Sequence, residues 1–292
     1  MKHETKALQS GNPLEYKPIP QLLLAFSVPA IISCLINSIY NIVDQIFIGQ
    51  GVGYLGNAAT TIAFPVMTII LAFGTLIGAG SSANAAISLG ERRNRRAEII
   101  LNNAFALALV SGIILMAVGL IFLRPILSLF GATEASMPYA VDYTSIILLG
   151  TPFNLIGIVL SNLARTDGHP RLSMYGMMIG AGLNTILDPI YIFIFHWGVK
   201  GAAIATITSQ IISAIILTAY FLRANKNPQH MRLRLRSMKF AGPIVSRSLT
   251  LGVSSGITQS VACIMQVVLN NSLVHYGNLE AAGGGDIALS AM

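Results

Sequence analysis

Two aspartates stand in segments otherwise suited only to lipid: Asp44 in NSIYNIVDQIFIG and Asp188 in GLNTILDPIYIF. An ionised Asp at the centre of a membrane helix costs about 2.5 to 3.5 kcal/mol even on the lenient insertion scale, so acids at such depth mark ion or proton chemistry. No Lys or Arg is expected at that depth. Two carboxylates brought together there repel until a proton or a cation sits between them. The predicted chemistry is therefore reversible binding of H⁺ or Na⁺. No resident metal or organic cofactor is expected beyond Na⁺ at Asp44 and Asp188, because His3, His169, His196, His230 and His275 include no pair at the four-residue helical spacing of a zinc site. Apart from the acids there is no nucleophile and base to make an enzyme.

The polar residues around these acids fall into helical stripes. Ser33, Asn37, Asn41 and Asp44 recur at intervals that put them on one face of a helix, with Tyr40 beside them. Gly176, Gly180, Asn184 and Asp188 repeat every four residues, and Tyr191 follows three residues later. Thr206, Ser209 and Ser213 form a third stripe, Ser255, Gln259, Gln266 and Asn270 a fourth, and Thr151 and Asn154 a shorter one. Lipid does not solvate such faces, so they are expected to meet one another or a wet cavity. Asn37, Tyr40, Asn41, Tyr191, Gln259 and Gln266 are candidates for lining that cavity. Pro189 removes an N–H one residue beyond Asp188 and frees the carbonyl of Thr185, an oxygen available to an ion, a water or a moving helix.

Composition dictates the elements that must carry these stripes. The chain has 54% hydrophobic and 10% charged residues over 292 positions, against about 25% charged in soluble domains, so lipid is its expected solvent. Uncharged runs occupy residues 18 to 43, 45 to 90, 99 to 123, 143 to 164, 201 to 222 and 248 to 279, and the run 172 to 199 is broken only by Asp188. A span needs about 20 apolar residues. The glycine-rich GQGVGYLG, residues 49 to 56, is the expected turn inside the longest run, which gives seven spans.

Charge fixes an expected orientation. With a cytoplasmic N-terminus, 16 of the 18 basic residues fall on inside segments, leaving only Arg124 and Lys200 outside. The net charge of +7 then reads as topology rather than nucleic-acid binding. The chain divides into a cytoplasmic tail (1 to 19), a six-helix bundle (20 to 222), a basic cytoplasmic connector (223 to 242) expected to lie at an anionic membrane surface, and the start of a second bundle (243 to 292). Cys34 and Cys263 both fall in spans, where they are expected to pack as small apolar groups. At 1.5 Å per residue Asp44 and Asp188 lie at depths that differ by about one helical turn, near the outer side, so one pocket can hold both.

The stretches NIVDQIFIG (41 to 49), RTDGHPRLSM (165 to 174), NTILDPIYIF (184 to 193) and GVKGAAIATITSQ (198 to 210) resemble signature segments of the multidrug and toxic compound extrusion (MATE) family. The resemblance extends from about Pro18 to Met292. It implies an all-α membrane protein of twelve helices in two six-helix bundles around a central cavity, monomeric at full length. It further implies that such a protein exports cationic amphipathic drugs across the cytoplasmic membrane against an inward flow of H⁺ or Na⁺. By the same resemblance Asp44, Asn184, Asp188, Thr206 and Asn154 form the cation-coupling pocket of the first bundle. A lipid-linked oligosaccharide flippase of the same superfamily is the alternative, although its pyrophosphate calls for a cationic cavity. The chain stops after GGGDIALSAM, which resembles the opening of an eighth helix. A C-terminally truncated member is therefore expected, and these 292 residues alone are expected not to transport, because alternating access needs both bundles.

Overall fold

A computed structural model describes residues 18–223, 231–234, 241–280 and 283–291. Among the described residues the secondary structure is entirely helical: α1 (Ile19–Val52), α2 (Tyr54–Gly90), α3 (Asn94–Ile121), α4 (Leu123–Leu129), α5 (Met137–Thr166), α6 (Pro170–Pro189), α7 (Gly198–Leu222), α8 (Gly242–Glu280) and α9 (Gly284–Ser290). Among the same residues, seven helical segments are long and apolar enough to cross a membrane. Long uncharged runs form helices in lipid because every backbone N–H and C=O must find its partner within the segment. Residues 1 to 17 of the expected tail and most of the connector lie outside the described residues.

Helix boundaries differ from the sequence reading in instructive places. Residues 49 to 56 do not form an eight-residue turn. Gly53 alone reverses the chain, with φ of 89°, so α1 runs on to Val52 and α2 starts at Tyr54. Gly51 remains helical and lies so close to Ile192 that a Cβ there would collide with its side chain. Helix α5 begins at Met137, six residues ahead of its uncharged run, and carries Asp142, which bounds that run and pairs with Lys200 at 3.3 Å.

Helices α2 and α5 are the inner members, with 56% of the most apolar window of each buried, against 12% for α1. Ile62, Ile70, Ile77, Leu155, Leu160 and Leu163 supply much of the shared core. Helix α1 packs mainly on α6. It leaves Leu24, Ile31, Leu35 and Ile42 facing outward, as a lipid-bathed helix does. Cys263 packs as expected against the Pro65 carbonyl, whereas Cys34 is exposed on α1. The first does fill a core position; the second does not.

Helix α8 lies along α2. Asn84 Nδ2 donates to Ser248 Oγ at 3.0 Å near one end. Near the other, the fully buried Asn270 donates to the carbonyls of Thr61 and Phe130, both at 3.3 Å. Part of the polar stripe of α8 is thereby used to hold the seam, and Gln259 and Gln266 are half-buried on the same helix.

Candidate functional site

Four helices converge on the acid pair. Asp44 comes from α1, Asn184 and Asp188 from α6, Thr206 from α7 and Tyr143 from α5, and all five side chains are buried. The Gly53 reversal and the tight approach of Gly51 to Ile192 draw the end of α1 onto the end of α6, which sets Asp44 against Asp188. The two carboxyl groups lie within hydrogen-bonding reach of each other. Two bare carboxylates in that relation repel, and a proton or cation shared between them removes the repulsion.

Asn184 organises the rest. Its Nδ2 donates to Asp188 Oδ1 and to Thr206 Oγ1, both at 3.2 Å. Its position one helical turn before Asp188 makes the first bond local, and the packing of α6 on α7 supplies the second. Three oxygens nevertheless remain without a hydrogen-bond partner among the described residues: Asp44 Oδ1, Asp188 Oδ2 and Asn184 Oδ1. Buried polar atoms are ordinarily satisfied, so a cluster of orphaned acceptors asks for an exchangeable positive partner. Carboxylate and amide oxygens suit a proton or a small hard cation. The ion pairs among the described residues lie elsewhere, at Arg93–Glu91, His169–Asp167, Lys200–Asp142 and Arg234–Glu98, so no Lys, Arg or His there neutralises either acid.

The continuation of α6 is irregular. After Pro189 the chain makes a π-helical turn, Ile190–Ile194, and the ring of Tyr191 stacks with Phe195 and Trp197 at centroid distances of 5.9 and 5.4 Å. A π turn is a common mark of a functional kink, and here it begins directly beyond Asp188. The hydrogen-bond break expected at Pro189 is thus followed by a wider turn on its far side.

Other predicted residues fall into three groups. Asn184, Thr206, Asp44 and Asp188 are brought together. Tyr40 is half-buried on α1 and close enough to feel both acids, while Asn37 and Asn41 are exposed and bonded to each other through Asn41 Nδ2 and the Asn37 carbonyl at 2.7 Å. Asn154 is half-buried on α5 and joins none of the hydrogen bonds of the cluster; Gln259 and Gln266 are carried on α8, which packs along α2. Tyr143 was not anticipated. It is 3% exposed, its hydroxyl meets Thr206, and it lies close to Asp44 and Asp188. A tyrosine at the edge of a span reads as an interfacial anchor. Its spacing from Thr151 and Asn154, on the same helical face, was the available signal.

The family model MatE matches residues 29–190, a segment that contains both acids. The multidrug export protein MepA of Staphylococcus aureus strain MRSA252 is 29% identical over 271 residues, covering 93% of this chain and 59% of the relative. MepA of Staphylococcus haemolyticus is 30% identical over 275 residues with the same coverage. Among solved structures, the MATE multidrug transporter DinF-BH, solved as a ligand complex, superposes with a TM-score of 0.85 at 32% identity, over 94% of this chain and 59% of that one. An inward-facing MATE family transporter of the MOP superfamily gives a TM-score of 0.78 at 26% identity, over 89% of this chain and 59% of that one. The chain thus spans 59% of the length of the relatives it matches. With a family match over more than half of its residues, a shared fold and seven helices of membrane-crossing length, this chain belongs to the MATE family of membrane proteins.

Proposed function

We propose that the chain supplies the cation-coupling half of an antiporter that exports cationic amphipathic compounds in exchange for H⁺ or Na⁺. The observation that carries this reading is the cluster of Asp44, Asp188 and Asn184, whose orphaned oxygens are buried without a basic partner among the described residues. In the proposed cycle a proton or Na⁺ enters between the two acids, cancels their repulsion and lets α1 close on α6. That closure reshapes the exposed face bearing Asn37 and Asn41 and weakens the hold on a bound organic cation. Linkage requires the reverse as well: an organic cation that prefers the ionised pair must lower its affinity for the coupling ion by the same factor.

The N-terminus and the basic end, bearing Arg92, Arg93, Arg95 and Arg96, face the cytoplasm, as the distribution of Lys and Arg favours. Residues 20 to 222 act as one bundle and residues 243 to 292 begin the second. The relatives named as multidrug exporters, and the ligand complex of the multidrug transporter DinF-BH, support an organic cation as cargo. Ethidium accumulation in cells expressing the full-length protein tests the reading. Accumulation should fall on expression and recover when a protonophore or a sodium ionophore collapses the driving gradient; accumulation unaffected by expression contradicts it.

A further inference from the structure

The basic end of the bundle carries a second polar network, remote from the acid pair. Asn102 and Asn103, adjacent on α3 and both buried, reach to backbone that lies beyond α7. Asn102 Oδ1 accepts the Arg234 N–H at 2.8 Å and Asn102 Nδ2 donates to the Arg232 carbonyl at 3.5 Å. Asn103 Oδ1 accepts the N–H of Ala241, the residue just ahead of α8, at 3.0 Å. From the turn between α5 and α6, Asp167 Oδ1 accepts the Met231 N–H at 2.9 Å, while its Oδ2 accepts the Tyr220 hydroxyl at 2.7 Å. The Leu233 N–H completes the set on the Phe221 carbonyl at 2.9 Å.

Side chains in this segment alternate inward and outward. Met231 and Leu233 are 1% and 2% exposed and join the main core, whereas Arg232 and Arg234 face out and Arg234 pairs with Glu98 at 3.3 Å. Within the expected connector, residues 231–234 are seated against the end of the bundle, with both arginines directed outward. A slack link between two bundles has no need of a buried carboxylate and two buried asparagines aimed at its backbone.

We propose that Met231–Arg234 is a clamp, fixed to α3, α7 and the α5–α6 turn throughout the transport cycle, so that the second bundle moves relative to an anchored point rather than on a free tether. Asp167, Asn102 and Asn103 are the positioning residues. Two measurements on the full-length protein decide it. In limited trypsin digestion, Asp167→Ala and, separately, Asn102→Ala should raise cleavage at Arg232 and Arg234 by about tenfold or more, as expected when such bonds are lost. Cleavage at the wild-type rate in both variants overturns the clamp. In a cysteine-free background, the pair Glu98→Cys and Arg234→Cys, whose side chains meet only at their tips, should be bridged by a bifunctional methanethiosulfonate reagent with a reach of about 10 Å, longer than a direct disulfide allows, and the cross-linked protein should export at no less than about half the rate of the same protein reduced. Failure to cross-link, or arrest that reduction reverses, overturns it. The second measurement rests on the proposed export activity; if the reduced protein does not export, that proposal fails while digestion still decides the clamp.

Discussion

Two groups of buried carboxylates in this protein are equally hidden from solvent and oppositely satisfied. Asp167, at the basic end, has both oxygens engaged, one by the Met231 N–H and one by the Tyr220 hydroxyl. Asp44 and Asp188, near the other end, are as deeply buried, yet each keeps an oxygen without a partner among the described residues. Burial of a carboxylate is tolerated when fixed donors meet it, and the result is a rigid joint. When fixed donors are too few, the balance has to come from a species that arrives and leaves. Under the proposed function, the same residue type serves as a fastening in one region and as a site for exchange in the other.

The largest effect expected from this contrast follows Asp188→Asn or Asp44→Asn in the full-length protein. Gradient-driven export should fall at least about 100-fold, with undiminished protein in the membrane fraction, because the amide removes a costly charge and with it the cation's partner. Asp167→Ala should do the reverse: it should lower stability by about 3 kcal/mol, through two lost bonds to a charged acceptor. It should leave the affinity for the coupling cation, read as cation-dependent thermal stabilisation, within about threefold. If Asp167→Ala abolished cation binding while Asp188→Asn merely lowered the melting temperature, the assignment of the two regions would be inverted.

Smaller substitutions grade the exchange site. Asn184→Ala takes a donor from both Asp188 and Thr206 and should weaken cation affinity about tenfold, the loss expected when a hydrogen bond to a charged group is removed. Thr206→Ala removes one neutral partner and should cost about fivefold in the same titration. Asn154→Ala, at a residue that makes none of the cluster's hydrogen bonds, should stay within about twofold. An effect of Asn154→Ala larger than that of Asn184→Ala would move the site along α5 and away from Asp188.

Much of this arrangement was legible in the sequence, for reasons visible in particular residues. Lipid imposes one strong rule, internal backbone hydrogen bonding, so uncharged runs read directly as helices. The four-residue interval between Asn184 and Asp188 is the geometry that joins them. Tyr143 escaped because a tyrosine has a common alternative role at a membrane edge, and only three-dimensional convergence with α6 and α7 distinguishes the two. The seating of Met231 and Leu233 escaped too. It depends on Asp167, Asn102 and Asn103 meeting backbone more than 60 residues away in sequence, and no local pattern encodes such a bond. The length of the Gly53 turn was overestimated because several glycines signalled it, while a single positive φ was sufficient.

The most direct test of the central claim is export by the full-length protein reconstituted in liposomes, measured first under an imposed proton gradient and then under an imposed sodium gradient, for the wild type and for Asp188→Asn. The account predicts that the wild type exports an organic cation under at least one gradient and that Asp188→Asn exports under neither. Wild-type rates from the Asp188→Asn protein under the gradient that drives the wild type would contradict it.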